Sequence, residues 1–128
     1  MFLAGHPFEH LEYDSIHFHR IERFTVILYD KTSPLSLVNK AREDLFCHNN
    51  RSMDRIPPTQ NALYQHTQRA IFQAGIWTTC TEAQPVIPPP DEFSWTKDEQ
   101  TNLWVPVWIT IPEVSKACTE LIRCNCRL

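Results

Sequence analysis

The sequence predicts a small, mainly α single domain of about four helices, with an irregular proline- and tryptophan-rich strap packed across them. Three observations lead there. Apolar residues recur at i, i+3, i+4 spacing in separate windows along the chain. Ten prolines stand against two glycines, which favours helices and extended segments over tight glycine hairpins. The length, 128 residues with 42% apolar, suffices for one modest core.

Residues 1–15 show little periodicity and are expected to lack fixed structure. Residues 16–76 read as a three-helix region. The first helix starts near Ile16, with Ile21, Phe24, Thr25 and Leu28 near the same face and Arg20 and Arg23 opposite. A strand competes over Phe24-Thr-Val-Ile-Leu-Tyr29, which is rich in β-branched and aromatic residues; the longer periodicity favours helix. After a turn through Pro34, a second helix begins near Ser33 or Ser36, proline being tolerated in a first turn. Its stripe is Leu35, Val38, Ala41, Leu45 and Phe46, and it fades at His48. Pro57-Pro58-Thr59 opens the third helix, with Thr59 as N-cap. Leu63, His66, Ala70 and Ala74 then repeat on its core face, joined by Ile71, and Gly75 supplies a C-terminal stop.

Residues 77–111 form the expected strap. Glu82 to Glu92 reads as polyproline II and loop, because proline fixes φ and removes a donor. The run is short and acidic, so a structural strap is favoured over a ligand for a proline-recognition domain. Trp77, Trp104 and Trp108 are predicted to bury against the helices and hold it. Residues 112–128 form a last helix from Pro112, with Val114, Ala117, Cys118, Leu121 and Ile122 on one face. It runs into a truncated Cys124-x-Cys126 start.

The net charge of −3 gives no general reason to expect nucleic acid or a membrane surface as partner. Its distribution is uneven. Residues 31–75 hold six Lys/Arg against three acids, and residues 76–115 one against six, which suggests two differently behaving parts. No run reaches the roughly 18 apolar residues of a membrane span. Five cysteines, with no apolar leader before them, are expected as free thiols in nucleus or cytosol.

Cys124 and Cys126 are the strongest chemical signal. Two thiolates so close on an extended chain can chelate zinc, but with Cys118 they remain one ligand short of a closed site. No cofactor is therefore expected, zinc being possible only in an incomplete site. His6, His10, His17 and His19, with Glu9, Glu12 and Asp14, show no recognised metal spacing, and residues two apart on a helix do not share a face. Cys47-His48 and Ser52 with Asp54 complete no nucleophilic triad, so the chain reads as no enzyme. Arg42, Arg51, Arg55 and Arg69 are candidates for a weak phosphate-facing surface. A solvated face is favoured, since no stacking platform is interleaved with them.

Several strings together carry a resemblance. They are Ile21-Glu-Arg-Phe-Thr-Val-Ile-Leu-Tyr-Asp30, Val38-Asn-Lys-Ala-Arg42, Ile56-Pro-Pro-Thr59, Gln73-Ala-Gly-Ile-Trp77, Trp104-Val-Pro-Val-Trp108 and Pro112-Glu-Val-Ser-Lys-Ala-Cys118. Ala62-Leu63, His66, Arg69-Ala70 and Cys124-Asn-Cys126 continue it. Over about residues 16–126 the chain resembles a mobile-element-like family of animal genomes. Its longer members resemble a flap-endonuclease-like or PIN-like nuclease region followed by a tesmin-type CXC cysteine-rich module. The resemblance places this chain between the two, and Phe2-Leu-Ala-Gly5 resembles the end of the nuclease part. His6-Pro7-Phe8 replaces the Cys-Asp-Thr expected there, which removes support for an inherited acidic metal site. It implies a non-catalytic scaffold or interaction region, truncated before its metal-binding module. The alternatives are a nucleic-acid-binding fragment using the basic middle and the Cys-x-Cys tail, or the remnant of a metal-dependent nuclease. Partners would be a protein or DNA, and no membrane.

Overall fold

The computed structural model describes residues 7–109 together with Lys116, Cys118, Thr119 and Leu121. Three helices are described: α1 (Ile16–Tyr29), α2 (Val38–Cys47) and α3 (Gln60–Thr79). A one-turn 3-10 segment at Met53–Arg55 lies between α2 and α3, another at Pro90–Phe93 follows α3, and β1 (Trp95–Lys97) pairs antiparallel with β2 (Trp104–Pro106). The mainly helical class stands. The details differ, because contacts gather the chain into two compact units, Tyr13–Leu63 with the residues beyond 108, and residues 1–12 with Tyr64–Trp108. A single domain was expected.

In the unit built on α1 and α2, Ser15 accepts the Phe18 N–H on Oγ at 3.2 Å and so caps α1. The helix predicted from Ile16 forms, but of the predicted face only Thr25 is buried. Phe18, Glu22, Thr25 and Val26 are buried, whereas Ile16, Phe24 and Leu28 are 60–65% exposed. The reason is that apolar residues fall on more than one side of α1, between its His, Arg and Glu side chains, so periodicity alone does not select its packed side. Glu22 is fully buried. Its Oε2 lies 2.9 Å from His19 Nδ1, and its Oε1 accepts the Val38 N–H at 3.4 Å. That matters because the N-cap of α2, Leu37, makes no side-chain cap hydrogen bond. A carboxylate at this end also suits the helix dipole. α2 therefore begins at Val38, later than the serines suggested. Ser33 and Leu35 instead present carbonyls to Arg23 Nη1, at 2.7 and 2.6 Å.

The predicted stripe of α2 holds: Val38, Ala41 and Leu45 are buried, and Leu45 clusters with Ile56 and Leu121. Leu121, on the expected fourth helix, is thus a core residue. Cys118, expected on the same apolar face, is exposed. The rest of that helix lies outside the described residues. Thr59 caps α3 as expected, accepting the Ala62 N–H at 3.2 Å.

The other unit takes the remainder of α3. Its buried residues are Thr67, Gln68, Phe72, Gly75 and Thr79; His66 and Ala70, predicted inside, are exposed. Phe72 is the anchor that turns the helix. With Phe8 and Phe93 it forms an aromatic cluster, ring centroids 5.5–6.2 Å apart, in the tilted and edge-on arrangements such rings favour. Residues 7–12, within the segment expected to lack structure, are fixed here. Tyr64 Oη and Gln68 Nε2 each donate to the Leu11 carbonyl at 2.8 Å. Gly75 does not end α3, which continues to Thr79. A Cβ at Gly75 would lie 2.5 Å from Phe8 and 2.7 Å from the Pro7 carbonyl oxygen. The glycine is a seat for the N-terminal segment.

The hairpin was not predicted. Asp98 organises its turn, accepting the Thr101 N–H at 2.7 Å as well as the Thr101 hydroxyl. Asn102 adopts a left-handed φ of 59°, which asparagine tolerates better than most residues.

Candidate functional site

The tryptophans expected to bind the strap down stand in solvent. Trp77, near the end of α3, is 69% exposed, and Trp108, just after β2, is 75% exposed. Trp104 is 42% exposed. Across the hairpin it pairs with Lys97, whose Nζ lies 5.8 Å from its ring centroid, a cation–π arrangement. The physical cause is that Phe8, Phe72 and Phe93 already fill the interior of this unit. Fully buried Phe93, not a tryptophan, anchors the far end of the proline-rich segment. His10 stacks on Phe93 with ring planes 9° apart, and its Nε2 lies 3.3 Å from Glu92 Oε2. Within the predicted strap, residues 81–87 are thus exposed, Pro88 and Pro90 are half-buried, and the run is held at its ends. Sequence reasoning missed this because a run poor in aliphatic residues was read as needing cover; the same poverty leaves residues 83–87 little to bury.

The four candidate arginines are divided between the two units. Arg42, Arg51 and Arg55 belong to the α1–α2 unit and Arg69 to the other. Arg42 donates to the Pro57 carbonyl and Arg51 to the Tyr29 carbonyl. Arg69 donates to the Val107 carbonyl at 3.2 Å, where burial lowers its pKa. Arg55 is exposed. Three of the guanidiniums thus tie main chain to main chain, a use that spacing along a helix does not reveal.

Cys124, Cys126 and His6 lie outside the described residues. Among those described, no three His, Cys, Asp or Glu side chains come together as a metal would need. His19 pairs with Glu22 and His10 with Glu92. The Cys47-His48 pair has separate lives: His48 Nδ1 lies 3.3 Å from Asp44 Oδ1, and Cys47 is buried and disulfide-bonded. The expectation of free thiols therefore holds, among the described residues, for Cys80 and Cys118 and not for Cys47. No described helix is long and apolar enough to cross a membrane.

One unit exposes the indoles of Trp77 and Trp108 and a proline run that is open to solvent from Pro85 to Ile87. No protein-family model, curated protein or solved structure matches the chain.

Proposed function

We propose that this chain is a non-catalytic interaction region, the scaffold segment that in longer members of the mobile-element-like family lies between a nuclease-like part and a metal-binding, DNA-directed tail. The observation that carries the reading is the exposure of Trp77 and Trp108. Rigid aromatic rings lose little conformational entropy on docking and dominate interface energetics, tryptophan most of all. The acidic balance of residues 76–115 favours a protein partner over a phosphate backbone. The carbonyl-bound arginines point the same way, against the nucleic-acid alternative. The resemblance to the nuclease-containing family supplies the context, with the chain as a linking region.

Crosslinking of the full chain to its cellular neighbours, compared with the Trp77→Ala/Trp108→Ala double variant, tests the reading. Partners should be recovered by the parent and lost by the variant, while stability changes by no more than about 0.5 kcal/mol per site, as for surface substitutions. If the variant instead melts several degrees lower, the rings are structural and the interaction reading fails.

A further inference from the structure

The run Gln84-Pro-Val-Ile-Pro-Pro-Pro90 leaves the end of α3 and returns to the aromatic cluster in the open. No residue from Ala83 to Pro88 makes a hydrogen bond or ion pair among the described residues. Pro89 has φ −63° and ψ 139°, the polyproline II conformation. Both ends are held: the Glu82 N–H donates to the Thr79 carbonyl at 3.0 Å, and Phe93 is fully buried. In a helix of about three residues per turn, Val86 and Pro89 share one edge and Pro85 lies on the next. All three are exposed, Val86 by 87%. Pro88, on the same edge as Pro85, and Pro90, which opens the 3-10 turn, are half-buried, so the Val86–Pro89 edge is the one most fully presented.

We infer that residues 85–89 are a preformed polyproline II ligand, presented through the Val86–Pro89 edge, with Pro85 beside it, to the aromatic-lined groove of a proline-recognition module with a basic rim. The conformation is the one such grooves accept, and its rigidity lowers the entropy lost on binding. The charge selects the rim. Glu82, Asp91 and Glu92 flank the run and are exposed, and the first base after them is Lys97. A groove edged with carboxylates would meet like charge, which opposes binding. The inference rests on the interaction reading above, but on a different set of side chains from the tryptophans.

The test is a calorimetric titration of the full chain with two purified proline-recognition domains, one with a basic rim and one with an acidic rim. The basic-rimmed domain should bind saturably, with Kd below about 1 mM, and more weakly as ionic strength rises. Val86→Ala/Pro89→Ala and, separately, Glu82→Lys/Asp91→Lys should each weaken it by about tenfold or more, with unchanged melting temperatures. Absence of binding, equal binding to the acidic-rimmed domain, or unchanged affinity in the Val86/Pro89 variant would overturn the inference. Should that happen while the Trp77/Trp108 variant still loses its partners, the interaction reading survives and only the proline ligand falls.

Discussion

Gly75 shows how a single missing atom organises half of the chain. Inside a helix, glycine is inferior to alanine by about 1 kcal/mol, so propensity alone predicts that Gly75→Ala stabilises. The Phe8 ring and the Pro7 carbonyl occupy the space a methyl group would take, and backbone does not yield cheaply. We therefore expect the opposite sign, a loss of about 1–3 kcal/mol from overpacking, measured by denaturant unfolding. A rise in stability would mean that residues 7–8 are not seated there. Glu22 shows the same dependence on context: its carboxylate lies between His19 and the first N–H of α2, a role that its place in the α1 sequence does not disclose. The residue-level features that do show in sequence are local ones. Ser15 and Thr59 cap their helices through side chains three residues from the groups they accept.

At the scale of elements, the hairpin offers a dependence on pH. Hydrogen bonds from the Thr101 hydroxyl, then from its backbone N–H, hold the Asp98 carboxyl below its ordinary value of 3.8. A carboxyl lowered by folding stabilises the folded form above its unfolded pKa, and that contribution is lost as pH falls through the lowered value. The hairpin should therefore be indifferent to pH near neutrality and loosen only below 3.8. Proton spectra of the Lys97–Trp104 pair during acid titration would follow it. Thr101→Val removes the hydroxyl donor and should move the Asp98 midpoint upward, toward 3.8. An Asp98 midpoint at or above that value in the parent chain would contradict the turn as described. The hairpin itself is hidden in the sequence because its strands are three residues each, too short for alternation to register.

For the molecule as a whole, the division into two units predicts that damage stays local. Residues 1–12 belong with Tyr64–Trp108, so removing them strips Phe8 from Phe72 and Phe93. Burying a phenylalanine is worth roughly 1.5–3 kcal/mol, and each kcal/mol moves the melting temperature by about 4–8 °C in a domain of this size. Deletion of residues 1–12 should lower the melting temperature by at least about 5 °C and abolish hydrogen-exchange protection over residues 64–79. Protection in α1 and α2 should persist. Equal loss in both, or none, would show that the N-terminal segment is not part of this unit.

The sequence by itself determined the helical class, the span of α1, the start of α3 and the stripe of α2, because caps and 3.6-residue periodicity are local and repeat within one element. It also marked the proline run as extended, since each ring restricts its own φ. Tertiary structure decided which faces were used. α1 is apolar on several sides, and only the packing of Phe18 and Val26 chose one. α3 turned about Phe72, which put His66 outside. Phe8 and Phe93, distant in sequence from each other and from Phe72, filled the interior and left Trp77 and Trp108 in solvent. A tryptophan is bulky wherever it stands; whether it is core or anchor depends on whether other rings have taken the interior, and that is settled by contacts between residues far apart in the chain.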